Sequence, residues 1–129
     1  MPDWTFEPIL PTIVERSEQF IAESVAKSEP FLLYLPLTSP HTPISPNKEW
    51  QGKSGLNHHY ADLVMETDAM VGRIIDAVNK TGIEENTIIF FASDKAFFSS
   101  AGMHTLNMLF LSAWPGHSFP TLLTVCWAL

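Results

Sequence analysis

The chain has 129 residues, 46% of them hydrophobic, which suits one small domain with a core of its own. Seven basic residues against fourteen acidic ones leave a net charge of −7, so the basic stripe that a phosphate backbone requires is missing and nucleic-acid binding is disfavoured. The same acidity argues against docking on an anionic membrane surface, and a lone cysteine, Cys126, rules out a disulfide within the chain.

The first ten residues, MPDWTFEPIL, carry Asp3 and Glu7 and lack a basic start followed by an apolar run. They do not read as a signal peptide, so export would need a leader upstream. Thr12-Ile13-Val14-Glu15 fits a capping box, in which the Thr hydroxyl accepts from the third amide and Glu15 reaches back. Ile13, Ser17, Phe20, Ile21 and Ser24 then share one helical face, and Pro30 ends the helix. The unbroken apolar run FLLYL at 31–35 predicts a strand buried on both faces. Pro36, Pro40, Pro43, Pro46, Gly52 and Gly55 make residues 36–56 a loop.

A second helix is predicted over residues 58–80. Tyr60, Leu63, Val64, Thr67, Val71, Ile74, Ile75 and Val78 repeat at helical spacing and form one apolar stripe. Asp62, Glu66, Arg73 and Asp76 are expected to face away from it. Lys80 suits the last turn, and Gly82 suits the position just beyond the cap. Residues 87–92, TIIFFA, predict another buried strand. Helix, strand, loop, helix and strand in that order imply a parallel α/β sheet with crossover helices.

All seven basic and all fourteen acidic residues lie within 1–95, and residues 96–129 carry neither. The apolar runs 108–114 and 121–129 are separated by Pro115, Gly116 and Pro120. Each is shorter than the roughly 20 residues of a spanning helix, so no membrane span is predicted. Two segments of different origin are therefore expected, 1–94 and an unrelated apolar tail over 95–129, frameshifted or disordered.

Ligands of open α/β sheets collect beyond the carboxyl ends of the strands. His41 follows the first predicted strand, in Ser39-Pro40-His41-Thr42-Pro43, and Asp94 follows the second, in Ala92-Ser93-Asp94. Parallel strands would bring both to one edge of the sheet. A carboxylate there suits a hard divalent cation such as calcium or magnesium, and an imidazole nearby could contact an oxyanion or protonate a leaving group. The plainer readings are a turn or cap for the Asp and a packed or solvated ring for the His.

Other groups carry less. His58-His59 opens a helix without further ligands at metal spacing and reads as a solvated or capping pair. Gly52-Lys53-Ser54 resembles the end of a phosphate loop, but the earlier glycine is absent and no strand precedes it. Asp62, Glu66 and Asp68 read as a solvated helix face, with Asp68 nearest the stripe and placed to brace a neighbouring loop. Cys126 has no charged neighbour to activate it, and no nucleophile elbow is present.

Phe31-Leu32-Leu33-Tyr34-Leu35-Pro36-Leu37, Pro40-His41-Thr42-Pro43 and Trp50-Gln51-Gly52-Lys53-Ser54-Gly55 together resemble the central part of bacterial and animal arylsulfatases. Tyr60-Ala61-Asp62, Met65-Glu66-Thr67-Asp68, Val71-Gly72 and Ile75-Asp76-Ala77 are similar to the helix that follows there. The stretch 85–94, ENTIIFFASD, looks like the strand leading to the family's Ser-Asp-Asn-Gly. The resemblance covers about residues 9–94. It implies an α/β fold, a piece of an alkaline-phosphatase-like sandwich with a mainly parallel sheet flanked by helices. It also implies hydrolysis of sulfuric esters, carried on a small molecule or a glycan, by a formylglycine made from Cys/Ser-x-Pro-x-Arg and assisted by calcium. Position by position, His41 corresponds to the histidine that contacts the sulfate group, and Asp94 to one of the calcium-binding acids.

The departures are definite. Cys/Ser-x-Pro-x-Arg does not occur in this chain, and neither does the early Asp-Asp pair. Lys95 stands where the family has the ligand Asn and would repel a cation. The later Gly-Lys-Gly segment is missing, and Lys53 does not match it. The expectation is a piece of a sulfatase that does not turn over alone. Two alternatives accompany it: a non-catalytic interaction protein of the same descent, self-associating through an exposed sheet edge and the tail, and a phosphodiesterase or phosphatase of the same superfamily.

Overall fold

The computed structural model describes residues 5–93 together with the segments 108–112 and 121–127. Helix α1 spans Ile9–Ala26. It starts three residues before the predicted Thr12, because a proline tolerates the first helical turn, where the amide has no partner to lose. Pro11 therefore lies inside the helix, Pro8 is the N-cap with no side-chain cap, and the amide of Thr12 donates to the Pro8 carbonyl at 3.0 Å. The capping box expected at Thr12 and Glu15 does not form. Leu10, Val14, Ser17, Ile21 and Ser24 make the buried face. Phe20, expected on that face, lies at its margin and meets Phe31 edge to face at 5.4 Å between ring centres.

Strand β1 spans Leu32–Leu37, and helix α2 spans His59–Lys80. The α2 boundaries agree with the sequence, and so do its caps. The His58 ring accepts from the Tyr60 amide at 3.2 Å. At the other end Gly82 takes φ +70°, which only a residue without Cβ adopts cheaply, and its amide donates to the Asn79 carbonyl. The Ile83 amide reaches back to the Val78 carbonyl, completing a Schellman termination. A single 3₁₀ turn, Glu84–Asn86, leads into β2, Thr87–Ser93. Strands β3, Met108–Ser112, and β4, Thr121–Trp127, come from the two apolar runs of the tail.

The four strands form one sheet in the order β1-β4-β2-β3. β4 runs parallel to both β1 and β2, while β3 is antiparallel to β2. β1 is thus an edge strand, and the expectation of a strand buried on both faces fails. Leu35 and Leu37 are buried, but Leu32 and Tyr34, on the opposite face, are each 62% exposed. An edge position also tolerates Pro36 within the strand, since no ladder partner on the outer side needs its amide.

Both helices pack on the face of the sheet that carries Leu35 and Leu37. Val14 and Ile21 of α1 meet Met70, Ile74 and Val78 of α2 over those leucines. Each such side chain contributes about 1.5–3 kcal/mol on burial. Arg73 and Glu18 join the helices by a two-pronged ion pair, which raises the guanidinium pKa further. What this frame fixes for function is a level: Leu37 and Ser93 both pair with Trp127, so β1 and β2 end together. Their ends are two strand spacings apart, roughly 10 Å.

Candidate functional site

Beyond β1 the chain makes a long excursion, residues 38–58, before α2 begins. It is rich in proline and glycine, and its internal backbone bonds are short turns, Trp50 to Asn47 and Gly55 to Gly52 among them. α2 supplies partners for other amides. The Asp62 carboxylate accepts from the Gly52 amide at 2.8 Å and from the Ser54 amide at 3.0 Å. One turn later Glu66 accepts from the Asn47 amide at 2.9 Å and from the Asn47 side-chain amide. The second hydrogen of that side-chain amide goes to the Glu7 carbonyl at 2.7 Å. Thr67 Oγ1 lies 2.9 Å from Ser39 Oγ and donates to the Leu63 carbonyl at 2.7 Å.

These contacts correct the sequence reading of α2. Asp62 and Glu66 were expected on the solvated face; they are 2% and 1% exposed. The buried face of the helix is rotated toward them and Met70, because their carboxylates have buried donors waiting. Asp68, expected to brace a loop, is exposed, and the bracing belongs to its neighbours. Two backbone amides hold Asp62 well below the usual carboxylate range, at about 2, Gly52 contributing most. Gly52-Lys53-Ser54, rejected as a phosphate loop from the sequence, presents its Gly52 and Ser54 amides to the anion of Asp62. The sequence signal was available: carboxylates at i and i+4 on the margin of an apolar stripe, next to a loop with many unpaired amides.

His41 projects from the start of this loop. Its amide donates to the Thr38 carbonyl at 3.3 Å, so the chain turns directly after β1. The ring is exposed, with Nδ1 2.9 Å from the Thr42 carbonyl. A proton on Nδ1 makes that bond and leaves Nε2 to accept; the doubly protonated ring can donate through both nitrogens. His41 stands at the wall of an open cleft of about 580 Å³ between the carboxyl end of β1 and the start of α1. Phe6, Leu10, Leu37 and Leu63 make the apolar lining, while Glu7 and Glu66 are its acids. Glu7 is kept below the ordinary range by its own backbone amide and by the Ser45 hydroxyl.

The second predicted site residue, Asp94, lies outside the described residues, as does Lys95. The structure does establish that the chain leaves β2 at the edge from which His41 departs. Cys126 falls within β4. Among the described residues no three His, Cys, Asp or Glu side chains converge as a metal site, and no helix is long and apolar enough to cross a membrane.

The family model named Sulfatase matches residues 11–123. This chain belongs to the Sulfatase family. The matched span runs past Lys95 and includes β3. N-acetylgalactosamine-6-sulfatase of Rattus norvegicus is 36% identical over 81 residues, 63% of this chain and 15% of that sulfatase. N-acetylgalactosamine-6-O-sulfatase of Bacteroides thetaiotaomicron is 33% identical over 91 residues, covering 70% of this chain and 17% of its own. Arylsulfatase H of Homo sapiens is 40% identical over 68 residues, 53% of this chain and 12% of its own. The chain thus spans about 15% of the length of the rat sulfatase. Among solved structures, Ps i-CgsB superposes with a TM-score of 0.67 at 26% identity, over 89% of this chain and 30% of that one. Its complex with k-i-k-neocarrahexaose superposes equally well. Family and structural neighbour together imply an alkaline-phosphatase-like fold.

Proposed function

We propose that this chain supplies one edge of the active site of a sulfuric-ester hydrolase, with His41 as a group that contacts the sulfate. The observation that carries the reading is the position of His41. It follows a parallel strand, at the carboxyl edge of the sheet and at the mouth of a cleft, in a chain of the Sulfatase family. With Nδ1 engaged by the Thr42 carbonyl, Nε2 is the atom left for substrate; protonated, it donates to a sulfate oxygen or to the departing oxygen. The ester is carried on a glycan: this is supported by relatives named for N-acetylgalactosamine-6-sulfate and by a neighbour bound to k-i-k-neocarrahexaose.

The chain on its own does not turn over. The Cys/Ser-x-Pro-x-Arg that yields the nucleophile is absent, and the cleft beside His41 carries two acids and no lysine or arginine. An anionic ester would be repelled from it until cationic groups arrive from elsewhere. Calcium stands similarly. Asp94 is proposed as one ligand, but the described residues do not fit the ion. Calcium takes roughly 6–8 oxygens, and the buried carboxylates of Asp62 and Glu66 are both committed to amides. The enclosing layer of the sandwich, over the face that bears Leu32 and Tyr34, is likewise proposed and not described.

Two measurements test the reading. Purified 1–129 with 4-nitrocatechol sulfate should release no product above buffer; sustained turnover abolished by His41→Ala would refute the inactivity. Titration with inorganic sulfate, followed on the His41 ring nitrogens, should shift those signals and no others nearby. A ring indifferent to sulfate at every pH from 5 to 8, roughly the range where histidine titrates, would remove His41 from the role.

A further inference from the structure

We propose that Asp62, Glu66 and Thr67 act together as a three-point clamp that positions His41. The inference rests on the reading of His41 as the sulfate contact and adds the residues that hold it in place. Each of the three is buried, and each reaches a different part of the 38–58 loop. Thr67, fully buried, meets Ser39, two residues before His41. Glu66 takes the backbone and side-chain amides of Asn47, and Asn47 passes its remaining hydrogen to the carbonyl of Glu7, a residue of the cleft lining. Asp62 closes the distal turn through Gly52 and Ser54.

Economy of the arrangement is the argument for a positioning function. α2 could bury leucine or alanine at 62, 66 and 67 and pack at least as well, since a buried charge is costly unless its partners are well placed. Three buried polar residues within two turns of α2 each reach the same loop and define its path. The loop's own backbone hydrogen bonds are short-range turns, and the hydrogen bonds of His41 among the described residues go to Thr38 and Thr42, beside the buried Pro40. Glu66 also lines the cleft, so the same carboxylate sets the loop and one wall of the space it borders. None of the three touches a substrate in this reading; they act through the loop.

The test uses the whole chain and needs no substrate, so it can fail independently of the sulfate reading. Hydrogen exchange and the His41 ring signals are recorded for the parent chain and for Glu66→Ala, Asp62→Asn, Thr67→Val and Thr67→Ser. Exchange at Asn47, Gly52 and Ser54 should rise roughly tenfold or more in the first two variants, the factor that a lost charge-assisted hydrogen bond carries. Core amides of Val14, Ile21, Ile74 and Val78 should stay within about twofold. The His41 ring should leave its Thr42-bonded state in Thr67→Val and return to it in Thr67→Ser, which restores only the hydroxyl. The proposal is overturned if the loop amides and the His41 ring are unchanged. It is equally overturned if the core loses protection in step with the loop, or if serine rescues no better than valine.

Discussion

The Glu66–Asn47 contact allows a quantitative test by a double-mutant cycle on stability. Glu66→Ala removes both bonds from Asn47 and strands two donors under the loop. At about 1.5 kcal/mol for each hydrogen bond to a charged group, the low end because the site is only part-buried, the expected loss is about 3 kcal/mol. Asn47→Ala removes the side-chain bonds to Glu66 and to the Glu7 carbonyl but leaves the backbone amide of residue 47 on the carboxylate. Its cost should be about 2–3 kcal/mol, the second bond being a neutral one worth about 1 kcal/mol. The double variant retains neither, so the two losses overlap by the one bond they share. The cycle should return a coupling of about 1.5–2 kcal/mol. Urea unfolding followed by tryptophan fluorescence supplies all four free energies, provided the four slopes agree. A coupling below about 0.5 kcal/mol would mean that water serves Asn47 as well as Glu66 does, and the clamp would lose its central point.

Strong acidification should release the distal turn. The folded pKa of Asp62 is about 2 against an ordinary 3.8, so its contribution is complete above the unfolded value and is lost as pH falls through the folded one. The Gly52 and Ser54 amide signals should therefore move between about pH 4 and 2, and Asp62→Asn should abolish the transition. Ile74→Ala, at a site 1% exposed between both helices, should cost about 2–4 kcal/mol in the same urea assay. Gly82→Ala should cost about 1 kcal/mol, because a Cβ there meets open space but the backbone must keep a positive φ. His41→Ala should leave stability within about 0.5 kcal/mol, as expected for an exposed ring.

Much of this protein was legible in its sequence wherever a local rule was strong enough to stand alone. Helix α2 announced itself by a long stripe, a histidine cap and a glycine stop, and the structure places both of its ends where those signals do. β2 followed from an unbroken apolar run between a turn and a polar strand end. Family membership followed from motifs in a fixed order. α1 was found but entered late, because Thr12 and Glu15 imitate a cap while Pro8 and Pro11 permit an earlier start. The place of His41 just beyond β1 was legible from where the apolar run ends, and its contact with sulfate is the proposal.

Local rules failed where the partner lay far away in the chain. Asp62 and Glu66 read as solvated charges because burying a carboxylate is unfavourable until donors arrive, and their donors belong to a loop eight to nineteen residues upstream. β1 read as a central strand because apolar residues on both sides of a pleat look the same whether or not a second layer covers them. The sequence by itself determined the helices, the segments of β1 and β2 and the family, since these depend on spacing along the chain. Only the tertiary structure decided which acids are spent on holding the loop, and that β1 lies at the edge with β4 between it and β2. Those outcomes depend on which distant backbone amides remain unpaired once the helices have packed.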